Sequence, residues 1–347
     1  MDGVSKRFSN KVTRFSFLMA IFVIYIHANN LAYYGISPDQ LCIPTIVVEI
    51  GGVLGGTAVP FFFMMSAYWL FRFDVFCDNA KEKLMFKLKR KVKTILVPYL
   101  LWNIFGMLFY MLITRIPFAA NMMNHGESID ITIPNIVGGI FLHKYYFTFW
   151  YLQDLIFLML ISPILLWILR DRRKITILIT IIFAVNLFHI DFLIFKGTSL
   201  FYFIIGAYIA VYKRDFFESE SNNALVYLVL YIGTGILRCF DLPVISQISL
   251  LATPILAWKG IDAIVVEEVY DKKVSWFETQ SFFVYAVHVI PVTVVGHILA
   301  KMESGLVWAT ISYLIAPWLT LGGIYVIALI THKRMPRFYN VICGKRG

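Results

Sequence analysis

Phe15-Ser16-Phe17-Leu18-Met19-Ala20-Ile21-Phe22-Val23-Ile24-Tyr25-Ile26-His27 is an apolar run that ends on an ionisable side chain. Read as the first membrane-spanning helix, it carries His27 roughly 18 Å into a hydrocarbon layer about 30 Å thick, at about 1.5 Å of rise per residue. A histidine at that depth needs a partner or a water-filled cavity, which makes it a candidate functional residue. The plainer alternative is a neutral imidazole that hydrogen-bonds a neighbouring helix.

The rest of the chain has the same character. Apolar residues make up 59% and charged residues 15%, with a mean hydropathy of +0.75. Ordinary soluble domains are nearer about 45–50% apolar and about 25% charged. A soluble chain of 347 residues would form two or three domains; the long apolar runs predict instead one all-α polytopic bundle over residues 1–347. The cysteines Cys42, Cys77, Cys239 and Cys343 are scattered, without CxxC or Cys/His clusters, so neither a metal site nor a disulfide framework is expected. Cys42 and Cys239 both fall on the expected outer side, where a bridge has room but no further support. Basic residues precede the first apolar run, but no small-residue cleavage site follows it, so it reads as a retained span and not a signal peptide.

Apolar segments of membrane length predict ten helices, at 15–36, 45–71, 94–114, 147–169, 175–190, 198–212, 223–239, 245–264, 281–300 and 306–331. The second carries Gly51, Gly52, Gly55, Gly56 and Pro60 and is expected to be broken. With a cytoplasmic N-terminus, 25 of the 31 lysines and arginines fall in inside segments and 5 outside, and Lys259 falls within a span. That asymmetry places both termini inside. It also accounts for the +10 net charge without a nucleic-acid partner. The outer segment 115–146 is the one long polar insertion; its Ile136–Leu142 stretch reads as a short interfacial helix.

Three clusters beyond His27 could carry chemistry. Lys81–Lys93 reads KEKLMFKLKRKVK and suits a polyanion, either a nucleotide-like cofactor or anionic lipid headgroups. Basic cytoplasmic loops are also ordinary topogenic signals; Arg90 and Lys93, three apart at the membrane boundary, favour the functional reading. Trp150 and Tyr151 stand at the outer end of the fourth helix as an aromatic belt. Asp154, about 10 Å inside the hydrocarbon, needs a buried donor or a substrate. Tyr285 and His288, three apart, share a face of the ninth helix. Glu49 and Asp262 are carboxylates that could pair with His288. No GxSxG, HExxH or Walker loop occurs, which excludes soluble-hydrolase, zincin and NTPase readings.

The ordered series of motifs resembles the acyltransferase 3 family of integral membrane acyltransferases. It comprises VIYIHANN at residues 23–30, VPFFFMMSAY at 59–68, RKVKTILVPY at 90–99, FWYLQDL at 149–155, FIIGAY at 203–208, FVYAVH at 283–288, and the tail beginning Met335-Pro336-Arg337-Phe338. Three positions depart from the family pattern. Ser16 stands where an arginine is usual, with Arg14 nearby but about 140° round the helix; Ser66-Ala67 replaces Ser-Gly; and Gln153 precedes Asp154. The resemblance implies transfer of an acyl group, most often acetyl, from acetyl-CoA or another acyl-CoA co-substrate to a hydroxyl of a sugar or of a lipid-linked or cell-surface glycan. No tightly bound cofactor is implied. It gives His27 the catalytic place, Arg90, Lys93 and Arg14 donor binding, and Trp150, Tyr151, Asp154, Tyr285 and His288 substrate binding or support. A multi-pass protein of a bacterial inner membrane, in contact with membrane lipids, is the expected setting. The competing class is a transporter or flippase, which ten spans, a broken helix and buried ionisable residues also suit.

Overall fold

The computed structural model describes residues 4–116, 130–188, 190–192, 194–238 and 243–344. Cys239 and much of the outer insertion, residues 117–129, lie outside them. Among the described residues every regular element is helical. Five helices are long and apolar enough to cross a membrane: Lys6–Tyr34, Ile43–Phe71, Ala80–Ile113, Val244–Ala263 and Leu306–Arg334. Two bent pairs raise the number to seven. The other three expected spans are shorter: Arg172–Leu187 (16 residues), Gly197–Tyr212 (16) and Ala224–Arg238 (15). At about 1.5 Å per residue they rise about 22–24 Å, short of a hydrocarbon layer of about 30 Å.

The breaks follow from the sequence. The second span is interrupted between Ile43–Gly55 and Ala58–Phe71, in the glycine-rich stretch where a break was expected. Phe147–Leu160 and Ser162–Leu169 meet at 56°. Pro163 has no N–H for the Met159 carbonyl, and the Ser162 hydroxyl donates to that carbonyl instead at 2.6 Å. Phe277–Val287 and Val289–Met302 meet at 77°, because Pro291 cannot bond the Val287 carbonyl and its ring crowds it. The residue at that elbow is His288. In the outer insertion, Ile133–Phe141 is a helix capped by the Thr132 side chain, where a short helix was expected.

The chain divides into two compact units. The first comprises Met1–Met19, Gly56–Val92 and Asp154–Ser275, the second Ala20–Gly55, Lys93–Gln153 and Trp276–Gly347. In the first unit, Gly197–Tyr212 packs closely on Ala58–Phe71: a Cβ at Gly206 would come 2.7 Å from the Met64 carbonyl carbon, so only glycine permits the approach. Trp258, fully buried, stacks on Phe217 at 5.0 Å and Phe61 at 5.8 Å. Lys11 Nζ lies 4.3 Å from the Trp258 ring centroid and 2.5 Å from Asp262 Oδ1, a cation–π contact and an ion pair at once. Arg72 holds Glu218 through Nε at 2.8 Å and Nη2 at 3.3 Å, and the Tyr68 hydroxyl donates to the same carboxylate. Burial pushes the Glu218 carboxyl up, but these bonds outweigh it and hold it below the usual range.

In the second unit, the end of the first helix is tied down by Asn30, whose amide donates to the Ala309 carbonyl at 2.9 Å and the Ser312 hydroxyl at 2.7 Å. A Cβ on Gly55 would lie 2.7 Å from the Phe22 carbonyl oxygen. The Ile43–Gly55 helix therefore lies against the turn just before His27.

Candidate functional site

The second unit brings both intramembrane histidines together. His27 ends the first helix, and its ring lies 5.0 Å, centroid to centroid, from His288 at the proline-made elbow, the planes tilted by 42°. Phe147 closes on His27 edge-on at 5.5 Å. His27 is half-buried, and its side chain has no hydrogen bond among the described residues. The alternative role of tying one helix to another thus has no bond behind it. His288 is fully buried. Its Nδ1 lies 2.7 Å from the Tyr285 carbonyl, and its Nε2 is buried without a partner among the described residues.

Tyr285 and Tyr151 belong to the same cluster. The Tyr285 hydroxyl donates to the Thr148 carbonyl at 2.6 Å. Its ring stacks on Phe149 at 5.6 Å, meets Tyr151 edge-on at 5.7 Å, and lies 6.1 Å from His288. Trp150 is half-buried. Sequence reasoning missed a neighbouring polar pair: His143 Nδ1 lies 2.6 Å from Gln153 Oε1, and His143 adopts φ = 45°, a left-handed conformation uncommon outside glycine. The one sequence signal was Gln153, at a position singled out as a departure from the family pattern.

Arg90, Arg14 and Asp154 belong to the first unit and have their own surroundings there. Asp154 Oδ2 accepts from the Ser199 hydroxyl at 2.7 Å and the Lys196 backbone N–H at 3.2 Å. It thereby satisfies one orphan backbone N–H at the start of Gly197–Tyr212, that of Lys196. Arg14 donates to the backbone carbonyls of Val269, Lys272 and Lys273, so its guanidinium braces the segment leading from the Glu268–Asp271 turn of helix. Within the basic run, Lys87 is structural: its Nζ donates to the Trp69, Leu70 and Arg72 carbonyls at 2.8, 3.1 and 3.3 Å, closing the end of the preceding helix. Arg90 is exposed, its guanidinium 5.8 Å from the Phe86 ring. Lys93, in the second unit, is exposed within a π-helical segment, Val92–Leu96. Of the carboxylates offered to His288, Asp262 is taken by Lys11 and Glu49 is exposed. Among the described residues no three His, Cys, Asp or Glu side chains are grouped to hold a metal ion.

A half-buried imidazole without a hydrogen bond, in a helix of membrane-spanning character, can take a proton from a hydroxyl brought to it. Residues 17–332 match the family model of the acyltransferase 3 type, described as an acyltransferase domain. No curated protein and no solved structure matches the chain. Matched over nearly its whole length, and built of several apolar helices, this multi-pass membrane protein belongs to the acyltransferase 3 family of integral membrane acyltransferases.

Proposed function

We propose that the protein moves an acetyl group from acetyl-CoA to a hydroxyl of a sugar or a lipid-linked or cell-surface glycan. The bundle has ten spans, both termini cytoplasmic, in a bacterial plasma membrane. The observation that carries this reading is His27, an intramembrane histidine whose nitrogens are uncommitted in a family of acyltransferases. The acceptor hydroxyl gives its proton to His27 as its oxygen attacks the thioester carbonyl. The C–S bond then breaks, the ester is left on the acceptor, and the proton returns to the departing CoA thiolate. A water-poor setting keeps the thioester from hydrolysis. Aromatic side chains such as Trp150 and Tyr151 suit the faces of sugar rings.

An apolar groove in the second unit supports a lipid-linked acceptor. It has a volume of about 520 Å³ and is lined by Trp102, Phe105, Tyr146, Phe283 and Val287 among others. Val287 adjoins His288 in the chain.

Purified protein incubated with labelled acetyl-CoA tests the reaction: acceptor-dependent release of CoA supports it, and an inert thioester ends it. Comparing the glycans of cells with and without the gene by mass spectrometry identifies the acceptor. The basic asymmetry also predicts that cysteines placed at 81 and 115 label from opposite sides of the membrane; labelling from one side ends the topology.

Arg90 is assigned to the CoA phosphates. Arginine matches phosphate geometry through paired N–H donors, and Arg90 is exposed with no ion pair among the described residues. Arg90→Ala should raise the KM for the donor about tenfold, equivalent to one charge-assisted hydrogen bond of about 1.5 kcal/mol, and leave the acceptor KM unchanged. An unchanged donor KM would make the run purely topogenic.

A further inference from the structure

We propose that His288 is a positioning residue for His27: it accepts an N–H from His27, fixes that ring's tautomer, and turns the other nitrogen's lone pair to the acceptor hydroxyl. This rests on the reading of His27 as the base. Its starting point is the pairing of a committed Nδ1 and an uncommitted Nε2 on one buried ring. His288 Nδ1 lies 2.7 Å from the Tyr285 carbonyl, and a carbonyl can only accept. Nδ1 therefore carries the hydrogen, and in the neutral ring Nε2 carries the lone pair. That lone pair is buried with no donor among the described residues. Leaving a buried acceptor unmade is costly, so a donor is to be expected wherever one can reach it.

His27 can reach it. With centroids 5.0 Å apart, facing edges of two imidazoles come within the roughly 3 Å of an N–H···N bond. No hydrogen bond among the described residues holds the His27 ring in another orientation. A rotation of the ring in place makes the bond. Among the described residues, the side chains with ring contacts to His288 are His27 and Tyr285, and the Tyr285 hydroxyl is already donated to the Thr148 carbonyl. The elbow also explains why His288 sits so far into the unit. Pro291 bends the helix by 77° at this residue, while its own backbone stays bonded on both sides, His288 N–H to the Val284 carbonyl at 3.1 Å and Val292 N–H to the His288 carbonyl at 2.9 Å.

The consequence for the reaction is a division of labour. The proton leaving the acceptor hydroxyl goes to the free nitrogen of His27, whose other N–H remains bonded to His288 Nε2. The positive charge that forms on His27 is shared along that bond toward Tyr285, with no net proton transfer to His288.

The test compares steady-state kinetics of full-length variants in detergent, with acetyl-CoA and the identified acceptor, alongside their melting temperatures. His288→Gln keeps an acceptor oxygen near the place of Nε2 and should hold kcat within about tenfold. His288→Leu keeps bulk without an acceptor and should lower kcat by about 10²-fold, within the range for losing acid–base competence, with both KM values within twofold. His288→Leu added to His27→Gln should cost nothing more, since the two residues act as a unit. If the Leu variant fails to fold, His288→Phe carries the same expectation. The inference is overturned if kcat survives in His288→Leu, if Gln and Leu lose activity equally, or if the losses multiply in the double variant. Full turnover in His27→Gln would instead remove the base itself, an outcome separate from failure at His288 alone.

Discussion

On the proposed function, His27→Ala should abolish acetyl transfer while the protein still inserts and still binds acetyl-CoA. Removal of a general base typically costs about 10²–10⁴ in rate, and the loss should fall on kcat, since the proposed role of His27 is to act on a proton in flight and not on the bound ground state. His27→Gln and His27→Asn should fail as well: an amide can donate and accept hydrogen bonds, but it cannot hold the proton. A structural role predicts the opposite order, with Gln restoring function and Ala lowering protein level. The two orders stay distinct even with the proposed bond to His288, because glutamine at 27 can donate to the His288 ring but cannot hold the proton. The measurement is turnover with labelled acetyl-CoA beside a membrane-insertion and donor-binding control. Near-wild-type turnover in His27→Gln would end the assignment and move the base to His288.

The sequence reading was strongest where local chemistry decides the outcome. Apolar length gave helices, and glycine gave the break between Ile43–Gly55 and Ala58–Phe71. The bends at Pro163 and Pro291 are equally open to reading, since a missing N–H acts on the residue four before it, yet hydropathy alone makes 147–169 and 281–300 one span each. The number of spans is harder, because Arg172–Leu187, Gly197–Tyr212 and Ala224–Arg238 are apolar but shorter than a bilayer core, and hydropathy alone does not say what such helices do.

Partners across the chain were the least legible part of the site. That Asp154 needed a buried donor follows from depth, but Ser199 as that donor does not. His27 and His288 were each singled out by burial in an apolar run. Their meeting depends on where a bent helix ends, which no periodicity in either segment encodes. Lys11 is one of the 25 basic residues counted on the inside, where a basic residue just before a first span is expected. The structure buries it.

That burial gives the second large expected effect. Lys11 and Asp262 have side chains 5% and 7% exposed and stand 2.5 Å apart. Asp262 also accepts from the Ser221 N–H at 3.2 Å and the Tyr270 hydroxyl at 3.4 Å. Lys11→Met preserves bulk and contact with Trp258 but strands the carboxylate, and breaking one side of a buried pair typically costs about 3–5 kcal/mol. Neutralising the survivor removes most of that penalty, so Lys11→Met/Asp262→Asn should regain most of the lost stability, the amide still accepting from Ser221. Denaturation in mild detergent should therefore rank wild type and double variant close together, with Lys11→Met well below both. A Lys11→Met protein within about 0.5 kcal/mol of wild type, the range of ordinary surface substitutions, would show that water reaches the pair and that its charges are only topogenic. If the pair is dry, its loss has a functional readout as well, because the helix it anchors, Lys6–His27, ends on the catalytic candidate: kcat should fall in Lys11→Met and recover with stability in the double variant.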